Sequence, residues 1–233
     1  MSIAEYRGIA SGEVAILGNG PSLMQQIPML GDVDTIGINA SLQHHPSKWH
    51  CAMDQESLIQ LPEMKYEADV LFTTNLLYRL PKTNTKQVSM PTRHMDIGWS
   101  KDLTDCIYSG KATIWFALQI AAWLGYQDIY LMGFDLSGKR VGGHLREDQD
   151  IPHSAIKRQL ELMGYLRGLI DTNYIKQRVY ICTLDNPCVT IPKVVWQHRE
   201  FTKTGVYEPA IDVDITITRR PSRMGGGVRF CEL

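Results

Sequence analysis

The chain has 233 residues, 44% hydrophobic and 21% charged, a composition that excludes a disordered or fibrous protein. Its 24 basic and 25 acidic side chains leave a net charge of −1, so the molecule as a whole has no general attraction for nucleic acid or an anionic membrane. The opening MSIAEYRGIASGE lacks a basic stretch followed by an apolar run, and the apolar stretch Ala112 to Tyr126 falls short of the roughly 20 residues of a membrane span. A cytoplasmic protein with no membrane span is expected. The five cysteines, an odd number, are widely spaced and include no CxxC pair, which predicts reduced thiols and neither a zinc cluster nor a disulfide framework.

Short apolar runs then alternate with helical patterns. Val14 to Leu17 predicts a buried strand running into the tight loop Gly18-Asn19-Gly20-Pro21-Ser22, with Pro21 in the first turn of a helix. Thr35 to Ile38, Trp49 to Met53 and Val70 to Thr73 predict three more strands, two of them ending at Asn39 and Asp54. Tyr78 to Asp105 is a less regular section that contains Pro81 and Pro91. Lys111 to Leu124 is the clearest helix, apolar on more than one stripe and closed by Gly125. A strand over Asp128 to Met132 leads to Asp135, a charged loop covers Ser137 to Pro152, and a helix and a strand follow over Ser154 to Ile170 and Val179 to Thr183. The whole order predicts an α/β fold, a Rossmann-like three-layer sandwich around a mostly parallel sheet. One transferase domain is expected over 1–213, with a basic tail over 214–233.

In an open parallel sheet, ligands collect outside the carboxyl ends of the strands. The loop Gly18, Asn19, Gly20, Pro21 and Ser22 follows the first strand there. Its glycines let backbone approach a phosphate, the Asn19 carboxamide both donates and accepts, and the Ser22 hydroxyl caps the next helix or touches phosphate; a structural tight turn is the other reading of the loop. Asn39 is a candidate for a base or ribose, or closes an Asx turn. Asp54 is a candidate for a ribose hydroxyl or a cation, or caps a helix near Gln55. Ser109, Gly110 and Lys111 stand before the long helix, with Ser109 as its cap and Lys111 as a mobile cation. Asp135 suits a hydroxyl or Mg²⁺. His144 and His153, in and just after the charged loop, are candidate proton acceptors, with His153 preferred. His44 and His45 are weaker, because adjacent residues point apart, and Tyr126 and Tyr130 read as packing aromatics. The last residues carry four arginines, Arg219, Arg220, Arg223 and Arg229, against Glu232, which suits a solvated terminus, a homo-oligomeric contact, or a nucleic acid or other polyanion.

The stretches VAILGNGPSL, IGINASL, WHCAMD and YSGKATIWFALQIAAWLGYQDIYLMGFDLS resemble the MptE-like proteins. They also resemble the bacterial alpha-2,3/2,8 sialyltransferases built on one Rossmann-like domain. The resemblance covers Val14 to Ser137, with a weaker continuation near Val179 to Pro187. Similarity to the sialyltransferases implies that the Gly18 to Ser22 loop and Asn39 contact CMP, that Ser109-Gly110 lies at the donor pocket, and that a histidine base acts without metal. Similarity to the MptE-like enzymes implies diphosphoryl transfer from ATP with Mg²⁺ to a hydroxymethylpterin, with Asp54 and Asp135 as the metal-binding carboxylates. Together these expectations describe a nucleotide-dependent transferase without a tightly bound cofactor. Its first reading is a glycosyltransferase using a nucleotide-sugar and a hydroxyl acceptor. Its alternatives are an ATP- and Mg-dependent diphosphokinase and a non-catalytic nucleotide- or nucleic-acid-associated protein.

Overall fold

The structure, a computed structural model, describes residues 2–60, 64–75, 85–136, 152–183 and 186–194. His144 and the basic tail over 214–233 lie outside the described residues.

Seven strands form one sheet. They are β1 (Glu13–Leu17), β2 (Asp34–Ile38), β3 (Ser47–Ala52), β4 (Ala68–Thr74), β5 (Lys86–Met90), β8 (Asp128–Met132) and β9 (Arg178–Ile181), in the order β5-β4-β3-β2-β1-β8-β9. Every pairing is parallel. A separate two-stranded ladder joins β6 (Thr92–Arg93) to β7 (Ile107–Tyr108). The parallel sandwich expected from the sequence is therefore the observed fold.

Strand alternation sorts the core into layers. Val14 and Ile16, Ile36 and Ile38, Trp49 and Cys51, and Val70 and Phe72 face helices α3 (Thr113–Leu124) and α4 (His153–Asp171). Ala15, Leu17, Tyr130 and Met132 face the opposite side, where Leu23 of α1 (Leu23–Gln26) and Leu30 cover them. Strands buried on both faces read as continuous apolar runs, which is why β1 and β8 were legible. Helix α3 is buried nearly all round, with Trp115, Phe116 and Leu118 inaccessible. Each such side chain contributes on the order of 1.5–3 kcal/mol by leaving water. Gly125 ends α3 at φ +108°, a left-handed position where an added Cβ would stand 2.5 Å or less from the Ala10 carbonyl (2.4 Å).

Two local expectations are corrected. The segment over Tyr78 to Asp105 contains β5, a sheet-edge strand whose KQVSM sequence carries only two buried apolar side chains, Val88 and Met90. An edge strand needs no continuous apolar run, so its pattern was weak. Pro21 does not enter a helix, because α1 begins at Leu23 and lasts one turn.

Candidate functional site

The chain builds outward from β1 to β5, then returns to the other side of β1 as β8. The direction of winding therefore reverses between β1 and β8, and the crevice outside their carboxyl ends is where such folds bind ligands. The loop after β1 and the loop after β8 meet there. The Gly18 N–H donates to the Met132 carbonyl at 2.8 Å, and the Gly20 N–H to the Gly133 carbonyl at 2.8 Å. A Cβ on Gly18 would stand 2.5 Å from the Gly133 oxygen, and one on Gly20 would stand 1.9 Å from Asp135 Oδ2. The two glycines thus let one loop lock against the other. Their N–H groups are committed to protein carbonyls, so a phosphate cradle made of these donors is not what the loop provides.

Ser22 continues the lock. Its N–H and hydroxyl donate to Asp135 Oδ2 at 3.3 and 3.0 Å, and the hydroxyl also meets Thr183 Oγ1 at 2.9 Å. It makes no side-chain cap on α1, contrary to one of the sequence expectations. Burial holds the Asp135 carboxyl above its ordinary range, against the opposing effect of the Ser22 donors. Gln26 ties the same region to the sheet, donating to the Cys182 carbonyl at 2.9 Å and accepting from the Gly133 N–H at 2.7 Å.

Beside this lock, Asn19 reaches sideways. Its Nδ2 donates to the Ile38 carbonyl at 3.2 Å, while its buried Oδ1 has no protein hydrogen-bond partner. Asn39, at φ +50°, accepts from Thr113 Oγ1 at 3.3 Å through its own Oδ1. Asn19, Asn39 and the first residue of α3 therefore form one line across the rim. Underneath Asn39, Gly37 leaves room for Ser41 Oγ, Ser47 Oγ and His50 Nδ1, which lie 2.6–2.7 Å from where its Cβ would be. His50 is fully buried, and burial pushes its imidazole down to about 3, so it stays neutral in the folded protein.

Ala112, the residue before Thr113, is part of the wall of a cavity of about 550 Å³ that Met95, Lys111, Pro152, Ser154 and Arg158 also line. Lys111 is exposed and left-handed at φ +61°. Arg158 joins α4 to the facing wall, donating through Nε to the Gly110 carbonyl and through Nη2 to the Met95 carbonyl, both at 3.0 Å. His153 is exposed as the first residue of α4, between two residues of the cavity wall.

Ser109 is not the cap of α3. Ala112 occupies that position without a side-chain hydrogen bond, and Ser109 Oγ instead donates to the His94 carbonyl at 2.7 Å. Asp54 is exposed and accepts from the Ser57 N–H at 2.7 Å, the cap of α2 (Gln55–Gln60). The ends of β3 and β8 are three strand intervals apart, about 14 Å, so Asp54 and Asp135 do not fit around one Mg²⁺. Among the described residues no group of three or more His, Cys, Asp or Glu side chains is placed to hold a metal. Tyr126 and Tyr130 pack as expected: the Tyr126 hydroxyl binds Asp34, and the Tyr130 ring stacks on Tyr180 at 5.2 Å.

Sequence reasoning missed Thr113, Arg158, Thr183 and His94. Thr183 had a usable signal, since it ends a predicted strand at the same rim. Arg158 stood out only as a cation on an otherwise amphipathic helix.

No protein-family model matches the chain, and no curated protein sequence matches it. Solved structures do share its chain path. A Maf glycosyltransferase from Magnetospirillum magneticum AMB-1 superposes with a TM-score of 0.59 at 13% identity, over 84% of this chain and 36% of that one. This chain thus spans little more than a third of that protein's length. The monofunctional alpha-2,3-sialyltransferase Cst-I from Campylobacter jejuni superposes with a TM-score of 0.45 at 16% identity, covering 82% of each chain. The sialyltransferase CstII from the same organism, in complex with cytidine-5'-monophosphate, gives 0.39 at 14% identity, over 75% of this chain and 81% of that one. At these identities the likeness to the Maf protein is one of fold, and the two sialyltransferases superpose too loosely to add to it. Among the described residues no helix is long and apolar enough to cross a membrane.

Proposed function

We propose that the chain is a glycosyltransferase that moves a sugar from a nucleotide-activated donor to a hydroxyl acceptor. The observation that carries this reading is the chain of contacts from Asn19 to Ile38 and from Asn39 to Thr113, whose neighbour Ala112 lines the cavity. The buried, unpartnered Asn19 Oδ1 is an acceptor for a base amino group or a ribose hydroxyl. The uncapped start of α3 and the Lys111 ammonium are placed for the leaving phosphate, whose negative charge grows as the sugar departs. The cavity then receives the acceptor. The shared fold with a glycosyltransferase and the motif resemblance to sialyltransferases support the same class of chemistry.

Diphosphoryl transfer from ATP and Mg²⁺ is the weaker alternative. It asks for carboxylates gathered on a metal, and Asp54 caps a helix three strand intervals from Asp135.

Titration calorimetry with CMP-, UDP- and GDP-sugars tests the proposal, with product analysis of any donor that binds. One donor should bind and turn over, and Asn19→Ala should weaken it about tenfold through the lost hydrogen bond. Failure of every donor to bind the folded protein would remove the reading. Binding without turnover in the presence of hydroxyl acceptors would leave a nucleotide-binding protein instead.

A further inference from the structure

We infer that His94 is the proton acceptor of the proposed transfer, held by buried Ser109 with its ring proton on Nδ1 and its Nε2 lone pair free for the acceptor hydroxyl. The role in transfer rests on the function proposed above; the state of the ring does not. It follows from counting protons. Ser109 Oγ carries one proton and lies 2.7 Å from the His94 carbonyl oxygen, which can only accept. The same Oγ lies 3.2 Å from His94 Nδ1. With its proton committed to the carbonyl, the hydroxyl has only lone pairs left for the ring, so Nδ1 must be the donor. The Lys111 N–H also donates to this Oγ at 3.3 Å. Ser109 is fully buried and is left with one donated and two accepted bonds, its whole capacity. In neutral imidazole a proton on Nδ1 leaves Nε2 unprotonated.

The backbone of His94 borders the cavity wall. His94 is exposed and precedes Met95 of the cavity wall, and its carbonyl also accepts from the N–H of Lys111, another wall residue, at 3.1 Å. Arg158 pins the carbonyls of Met95 and Gly110, so the residues beside His94 and Lys111 are fixed to α4. In the transfer, the acceptor oxygen bonds to the anomeric carbon while its proton passes to Nε2. The bond from the anomeric carbon to the donor phosphate breaks, and its electron pair leaves with the nucleotide. The imidazolium then returns its proton to water. Ser109 is the positioning residue, acting through the ring.

Long-range proton–nitrogen correlation spectra of the ¹⁵N-histidine protein, at a pH where the ring is neutral, read the tautomer without any ligand. His94 should carry its proton on Nδ1, and Ser109→Ala should move the population toward Nε2–H, the form a free imidazole prefers, while Ser109→Thr restores it. A predominant Nε2–H form in the unmodified protein overturns the orientation. In donor and acceptor assays with the same nucleotide-sugars, His94→Gln should lower kcat about 100-fold and leave the donor KM within roughly threefold. Full turnover in a folded His94→Gln protein, or a loss seen only in His153→Ala, overturns the role of His94 alone. Failure of every donor with the unmodified protein strikes the glycosyltransferase reading instead, and the tautomer is still decided by the spectra.

Discussion

The loop after β1 and the cavity beside α4 border the same end of the sheet, yet they use their polar groups in opposite ways. In the loop, the N–H groups of Gly18, Gly20 and Ser22 all go to partners at the end of β8 or in the loop after it. Around the cavity, Lys111 is exposed and α3 begins without a side-chain cap. Glycine-rich sequence therefore marks close packing here, while the open ground lies beside Ser109-Gly110-Lys111, which has a single glycine. Glycine allows a backbone to approach something, and the motif alone does not say whether that is a phosphate or another strand end.

Substitutions on the two sides should separate this contrast most sharply. Gly18→Ala drives a Cβ to 2.5 Å from a backbone oxygen that cannot rotate away. It should cost on the order of 3 kcal/mol, measured as a lower denaturant midpoint with an unchanged slope. Survival of Gly18→Ala at full stability would mean that the two loops are not locked.

Between the two regions β3 carries His50, whose acid response follows from its burial. Its folded value of about 3 lies below the unfolded value of about 6.5, so the protein keeps this stability above the unfolded value and loses it as the pH falls toward 3. The loss should reach about 2 kcal/mol at pH 5, and His50→Gln should flatten that limb in urea titrations run from pH 7 to pH 4.

On the open side, Lys111→Gly should do the reverse of Gly18→Ala. Glycine relieves the left-handed backbone at φ +61°, raising stability by about 1 kcal/mol in the same denaturant assay. It also removes the ammonium, so affinity for an anionic donor should fall. An unchanged donor affinity would detach Lys111 from the phosphate.

The smallest effect belongs to Asp135. Its raised folded value means that the folded carboxyl holds its proton more tightly than the unfolded one. The associated stability is present in acid and is lost as pH rises through the ordinary carboxylate range to the raised value. Asp135→Asn should therefore melt roughly 1–3 °C above the unmodified protein at neutral pH and show no advantage in acid. Calorimetry at two pH values checks both halves.

How much of this was visible beforehand depended on what each residue had to satisfy. The central strands were legible because burial on both faces leaves little choice but apolar side chains, whereas β5 at the edge faces no such demand. Asn19 and Asn39 were legible as rim residues because strand ends in a parallel sheet share a location. Ser109 was placed in the right neighbourhood and given the wrong task. A hydroxyl before a helix caps it only if the chain turns the side chain back, and here the left-handed Gly110 and Lys111 turn it toward His94. The Arg158 contacts with Met95 and Gly110 and the His94 contact with Ser109 were invisible because both form only through the path of the 94–111 segment. No spacing rule encodes that path.

The pairing of β1 with β8 has a consequence for synthesis. Glu13 lies beside Asp128, so one edge of the innermost strand waits for more than a hundred further residues before its neighbour exists. Until then the nascent chain displays an open row of hydrogen-bonding groups, a hazard for misassociation on the ribosome. The crevice comes into being only when that late arrival docks, so a partially made chain already holding β1 to β5 would have the sheet and still lack a place to bind.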